Sequence, residues 1–337
     1  MHKKVSVIIP IYNATEKQLE ISIGSVVNQT YDNVEIVAVN DCSTSTETYE
    51  TLTLIENRNK EREFIVYTSE SNRGISCSRN KGMFLATGDF ICFLDQDDYF
   101  SPDFVEKLVI IAEEQDADVA MCGFDSVDES GNIISIFPKK GMDQNSAWYP
   151  WSVCAIWNRI YKKRFLEERN IIFPEGCVTE DIVFLMQCNT WTNKIAIISD
   201  VLYHNVSYSK STSRSKSFHA LEANKMPIKQ IEKIVNETVP CSPYIHAYVC
   251  NEMALLCNVL TTGTNTRDIS GIAKDAGYII RIASRRNSIK GLIEYNHFCK
   301  DKRIMQVLIV LIYLCSLMRI EKQYVLLFHV IGKRIRK

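Results

Sequence analysis

The chain has 337 residues, 46% of them hydrophobic and 23% charged, which suffices for one large α/β domain with a smaller appendage. With 39 Lys and Arg against 40 Asp and Glu, the formal net charge is −1, which argues against a strongly basic nucleic-acid binder. The 12 cysteines are scattered singly without a CxxC spacing, which excludes a zinc-ligand framework and fits a reducing, cytosolic compartment.

Val5 to Ile9 (VSVII) follows a basic start, is too short for a signal peptide, and reads as a buried first strand. Pro10 is expected to end it, with Ile11, Tyr12 and Asn13 forming a turn. A helical pattern from about Glu16 to Asn28 leads to a second buried strand, Val34 to Val39, ended by Asn40, Asp41, Cys42 and Ser43. A helix from about Thr46 to Lys60, a strand from Phe64 to Tyr67, and a buried helix opened by Gly74 come next. Phe90 to Leu94 is a fourth strand. Strands alternating with helices at this spacing predict βαβ units and a mostly parallel central sheet flanked by helices.

The fourth strand runs into Asp95, Gln96, Asp97 and Asp98. Carboxylates so crowded raise one another's proton affinity, a costly arrangement unless a cation sits among them. Hard oxygen ligands suit Mg²⁺ or Mn²⁺, metals that keep open positions for substrate phosphates. An acidic turn capping the helix that Ser101 and Pro102 start accounts for Asp103, but leaves Asp95 and Asp97 unexplained. Polar residues follow every strand: Tyr12 and Asn13, Asn40 and Asp41, Asn72 and Arg73, Asp95 and Asp97. In a parallel sheet these ends share one edge, where ligands of open α/β sheets bind. No GxGxxG follows the first strand and no GxxxxGK[ST] occurs, so dinucleotide-binding and P-loop plans lose support.

VSVIIPIYN (Val5 to Asn13), VAVNDCS (Val37 to Ser43), SNRGISCSRNKG (Ser71 to Gly82) and GDFICFLDQDD (Gly88 to Asp98) resemble the successive motifs of family 2 glycosyltransferases, which have the GT-A fold. The resemblance implies that Pro10 and Tyr12, with Asn13 beside them, line a nucleotide pocket and that Asp41 reads the base. It implies that Asn72, Arg73, Gly74 and Arg79 border nucleotide and sugar, and that Asp95 and Asp97 form the metal-binding DXD for Mn²⁺ or Mg²⁺. Asn40 and Cys42 depart from the family, where Asp and Gly are frequent.

Past a helix from Ser101 to about Gln115, Val119 to Cys122 reads as a strand and Asp125 to Ile136 as a hairpin around Gly131. Trp148, Trp151 and Trp157 are sugar platforms or core residues. Thr179, Glu180 and Asp181 open a helical run, and acids in a first turn are ordinary. The resemblance assigns more to them, with Asp181 as the base that deprotonates an acceptor hydroxyl. Ile195 to Ile198 and Val201 to His204 suggest a short hairpin and His204 reads as structural; in the basic stretch Ser207 to Ser217, Lys210 or Arg214 meets a diphosphate as similar family segments do, or the stretch is an ordinary solvated linker.

These readings give a GT-A domain over 1–215, a helical acceptor-side region over 216–299 and a tail over 300–337. The tail carries nine Lys/Arg and two Asp/Glu, and an apolar run from Ile304 to Met318 that falls short of the roughly 20 residues needed to span a bilayer. An apolar helix with basic flanks fits peripheral binding at the inner face of a cell membrane; a buried helix or dimer interface is the alternative. The resemblance implies inverting, metal-dependent transfer from a nucleotide-sugar, a UDP-sugar by preference, to a saccharide or lipid-linked saccharide, and with the tail it implies bacterial surface polysaccharide synthesis. The rivals are a non-catalytic nucleotide-sugar-binding scaffold and a sugar nucleotidyltransferase, whose Gly-rich, Arg-containing loop PIYNATEK does not supply.

Overall fold

A computed structural model describes residues 2–138, 142, 144, 145, 149–153, 155–176 and 180–208. Trp148, Thr179, Lys210, Arg214, the helical region 216–299 and the tail 300–337 lie outside the described residues. The chain divides into two compact units, one drawn from residues 1–144, 154–176 and 192–214, the other from 145–153, 177–191 and 215–337.

The first unit begins with β1 (Val5–Ile11), α1 (Glu16–Val27), β2 (Val34–Asn40), α2 (Thr46–Arg58), β3 (Glu63–Thr68), α3 (Ile75–Leu85) and β4 (Phe90–Phe93). β1 pairs in parallel with β2 and β4, and β2 with β3. Every residue of β1, β2 and β4 is buried, which is why these strands read as unbroken apolar runs rather than alternating ones. Thr15 caps α1 in a reciprocal box with Gln18, worth about 1 kcal/mol. α3 lies close on β1 through Gly82, where a Cβ would come within 2.3 Å of Ile8 Cγ2; glycine is what permits that approach.

Pro10 does not end β1, which continues through it to Ile11, with Pro10 opposite Val39 of β2. The Ile8 carbonyl accepts from Leu94 and the Ile11 carbonyl from Asp41. Alternation therefore turns the missing Pro10 donor toward β4, beyond the last residue of that strand, where no ladder bond is lost.

The chain continues with β5 (Tyr99–Phe100), α4 (Phe104–Glu114), β6 (Val119–Asp128), β7 (Ile133–Phe137), α5 (Tyr149–Ser152), β8 (Arg159–Lys162), α6 (Lys163–Glu168), α7 (Glu180–Trp191) and β9 (Ile195–Ser207). Of these, α5 and α7 belong to the second unit. Among the described residues the sheet order is β3-β2-β1-β4-β8-β6-β9-β5, with β7 on β6. β8 runs antiparallel to β4 and β6, while β9 runs parallel to β6 and antiparallel to β5. The fold is thus α/β and mostly parallel in its first half, as expected.

Two further expectations need correction here, and a third, left open between two readings, is decided. Residues 195–207 are one strand and not a hairpin: Ser199 and Asp200 are taken up as an irregularity where the register against β6 jumps between Met121 and Gly123. The helix after the acidic turn starts at Phe104, because Ser101 accepts from the Phe104 N–H in a preceding turn. Trp157 is a core residue, stacked 4.0 Å from Tyr203 and edge-on at 4.8 Å to Phe124. The turn at Gly131 joins β6 and β7 as expected, with φ of 84°.

In the second unit α7 buries Val183, Phe184, Leu185, Met186 and Cys188, and the Asn189 carboxamide donates to the Pro150 carbonyl at 3.4 Å.

Candidate active site

The carboxyl ends of β1, β2 and β4 and the start of α3 are joined by a closed ring of hydrogen bonds. The Gln96 side chain pairs with the Tyr12 backbone, accepting from its N–H at 2.7 Å and donating to its carbonyl at 3.2 Å. Asn13, in the left-handed region at φ 51°, donates its N–H to Ser43 Oγ, and its side-chain oxygen accepts from the N–H groups of Thr44 and Ser45. Both Asp41 oxygens accept backbone N–H groups, from Arg73 at 2.9 Å and Gly74 at 2.7 Å. Five residues on, the buried Arg79 guanidinium meets Asp95 at 2.9 Å, which returns the circuit to the turn bearing Gln96.

The sequence-predicted residues of this unit lie in that ring or beside it. Pro10 is buried in β1, and Tyr12 is 43% exposed, free to present its ring outward. Asn13 spends its acceptor on the loop before α2 and acts as a clamp between strand ends. Asn72 is exposed, and Gly74 at φ 86° is the N-cap of α3. Asp41 is buried, and each of its oxygens retains one lone pair after the backbone bonds. The exposed Arg73 reaches Glu175 at 3.3 Å, and Asn80 brackets the Phe173 backbone with two 2.9 Å bonds, so residues 173–175 are held against α3. Burial and the hydrogen bond to Glu175 push the Cys77 thiol up to about 11.

The acids after β4 differ among themselves. Burial first, and then the neighbouring Asp95 carboxylate, raise Asp97 to about 6. Asp95 instead has the Arg79 guanidinium beside it. Asp98 is pushed well above the carboxylate range by burial and by both other acids, while accepting from Tyr203, Asn205 and Val206. Asp95 and Asp97 fit a hard divalent cation in donor type. Among the described residues no group of three or more His, Cys, Asp or Glu could hold an ion, so diphosphate and water oxygens would have to complete the shell. His204 lies between Asp125 at 2.8 Å and Ser101 at 2.9 Å, a structural placement.

Asp181 stands in the first turn of α7, in the second unit, with the buried Glu180 before it. Both acids meet the positive end of that helix.

Sequence reasoning missed Gln96, Asn80 and the role of Asp98. A polar side chain between two acids at a strand end signals Gln96 in hindsight; nothing local marks the other two.

Residues 6–170 match the model described as glycosyl transferase family 2. The glycosyltransferase GlyA of Streptococcus pneumoniae is 29% identical over 240 residues, covering 65% of this chain and 33% of that protein. The putative glycosyltransferase EpsH of Bacillus subtilis is 29% identical over 213 residues, 59% of this chain and 60% of that protein. The match thus spans a third to about three fifths of these relatives' length. Among solved structures, Staphylococcus aureus TarS 1–349 in complex with UDP superimposes with a TM-score of 0.65 at 20% identity, over 95% of this chain and 91% of that one. A mannosyltransferase from Pyrobaculum calidifontis, in complex with GDP-Man and Mn²⁺, gives 0.56 at 13% identity, over all of this chain and 88% of the other. At such identities these likenesses show the fold.

Proposed function

The chain carries a glycosyl transferase family 2 domain, matched over residues 6–170, on a GT-A fold, and from this premise we propose that it transfers a sugar from a nucleotide-sugar, by preference a UDP-sugar, to a saccharide or lipid-linked saccharide with inversion. The observation that carries the reading is the hydrogen-bonded ring that gathers Tyr12, Asp41, Arg73, Arg79 and Asp95 at one edge of the parallel sheet, with Asp97 in the same turn as Asp95. A donor there meets an outward tyrosine for stacking, a carboxylate able to accept from a base N–H, and cationic side chains.

Asp97, with Asp95, is the proposed holder of Mn²⁺ or Mg²⁺. When bound, such an ion neutralises the charge that develops on the departing diphosphate. Arg79 holds Asp95 in place, and Gln96 fixes the turn against Tyr12. Asp181 is the proposed base: it takes the proton of an acceptor hydroxyl as that oxygen bonds to the anomeric carbon and the carbon–oxygen bond to the diphosphate breaks. Its role derives from its motif and helix position, since it lies outside the matched residues.

Work at an anionic membrane surface, in surface polysaccharide synthesis, is supported by the basic, apolar tail 300–337. Among the described residues no helix is long and apolar enough to cross a membrane. Equal binding to anionic liposomes by the full chain and by a chain ending at Phe298 would remove that part of the proposal.

A nucleotide-sugar panel with Mn²⁺, scored by nucleotide release, tests the core of it. Release with at least one donor is expected, falling by roughly a thousandfold in Asp97→Asn and in Asp181→Asn. Release that survives both substitutions unchanged would sink the assignment.

A further inference from the structure

Asp98 is the acid of the DQDD run to which the transfer reaction assigns no task, and its placement is unusual. It is 1% exposed, and its hydrogen-bond donors come from the end of β9: the Tyr203 hydroxyl at 2.6 Å, the Val206 N–H at 2.8 Å and the Asn205 carboxamide at 3.1 and 3.3 Å. All are neutral, although two further carboxylates stand within electrostatic reach. Hiding a carboxylate among such neighbours costs several kcal/mol if it lacks compensation, and a turn alone does not require one.

What the arrangement achieves is a fixed exit from β9. β5 follows the acidic turn and pairs with β9 at Tyr99 to His204 and Phe100 to Tyr203. His204 bridges Asp125 and Ser101 at the same level. β9 ends at Ser207, and the next residue, the half-buried Tyr208, stands two positions past the Val206 N–H that Asp98 accepts at 2.8 Å, which brings it to the acidic turn. The strand end is therefore tied to the same turn that carries Asp97, through donors on three of its last five residues.

We propose that Asp98 is a positioning residue that locks the end of β9 and so holds Tyr208 beside Asp97 as a wall of the diphosphate site. The proposal rests on the nucleotide-sugar reading above. It makes the four-residue acidic run a bifunctional turn, with Asp95 and Asp97 facing the donor and Asp98 facing the scaffold. Tyr208 then acts through placement, offering a phenol edge to the bound nucleoside diphosphate.

The test measures binding of UDP with Mn²⁺ by calorimetry, and donor kinetics, on the full chain and on Asp98→Asn, Tyr203→Phe, Tyr208→Phe and the Asp98→Asn/Tyr208→Phe double variant. Asp98→Asn presents an amide N–H to donors that need an acceptor, and is expected to weaken UDP binding and raise donor KM roughly tenfold while kcat changes less than about threefold. Tyr208→Phe is expected to cost about threefold, and the double variant to bind no worse than Asp98→Asn alone. Unchanged UDP affinity in Asp98→Asn, or losses that multiply in the double variant, would overturn the proposal. If Asp98→Asn does not fold, Tyr203→Phe decides: it removes one O–H donor, is expected to cost about threefold in UDP affinity, and an unchanged affinity overturns the proposal. A wild-type chain that binds neither UDP nor GDP would instead overturn the nucleotide-sugar reading, and this one with it.

Discussion

A buried carboxylate and a half-buried one lie at opposite edges of the same parallel strands, and their surroundings are opposite too. Glu35, near the start of β2, receives the Ser6 hydroxyl at 2.5 Å, the Thr87 N–H at 2.8 Å and the Thr87 hydroxyl at 2.6 Å, with Lys4 at 3.0 Å. Burial alone would raise its pKa, but these partners overcome that and leave it lowered. Asp97, past the end of β4, is raised to about 6 by burial first and then by the carboxylate beside it, and among the described residues no partner overcomes either. A satisfied acid braces the fold; an acid left charged against its neighbours waits for a ligand.

The strongest way to break this contrast is to remove each acid. Glu35→Ala strands Lys4, Ser6 and Thr87 around an empty site and is expected to destabilise the chain by about 3 kcal/mol. Divalent cations should not rescue it. Urea midpoints with and without Mn²⁺ check this, and a Glu35→Ala chain as stable as wild type would mean that the network is ornamental.

The same contrast explains what could be read from residues alone. The strands from β1 to β4 were legible because each is a short apolar run followed by a helix period, and the site edge followed from their parallel order. Glu35 was hidden inside the run VEIVAV, since an acid in a strand buried on both faces declares that partners exist without naming them. β5 has two residues and no pattern, and exists only because β9 lies beside it. β9 was misread because Ser199 and Asp200 look like a turn, while pairing with β6 on both sides of them outweighs that local signal. Trp157 could face sugar or core by composition, and only its stacking on Tyr203 decides.

pH separates the two acids next. Asp97 has a folded value of about 6 against an ordinary 3.8, so the native state holds the extra proton between those values. Its contribution to stability is largest below pH 3.8 and is lost as pH rises through 6, on the order of 2 kcal/mol for a partly screened group. Glu35 has the reverse sign: its contribution is present above its ordinary 4.5 and is lost as pH falls through the lower folded value. In EDTA, Asp97→Asn should therefore be about 1 kcal/mol more stable than wild type at pH 7.5, with the gap closing toward pH 4.5. The deficit of a Glu35→Gln chain should stay constant from pH 7.5 to 5. A gap for Asp97→Asn that does not depend on pH would show that charge is not what strains this edge.

Backbone strain follows the same division, on a smaller scale. Among the described residues the non-glycine positions of positive φ are Asn13, Cys42, Asp116 and Asn170. Asp116 and Asn170 follow helices α4 and α6, where a left-handed residue closes the last turn. Asn13 and Cys42 are at the site edge, and none falls on Lys4, Ser6, Glu35 or Thr87. Asn tolerates this region, but Cys42 at φ 55° has only a weak thiol contact to the Glu70 carbonyl at 3.7 Å to set against it. Cys42→Gly relieves roughly 1 kcal/mol of steric cost and gives back about half of that through a more flexible unfolded chain. The expected net gain of about 0.5 kcal/mol is a rise of one or two degrees in Tm. UDP affinity decides what the strain is for. If the variant gains stability and binds UDP as well as wild type, the strain is tolerated; if it gains stability and binds roughly tenfold more weakly, the left-handed turn holds Asp41 in its binding position, and the site edge gives up stability for preorganisation.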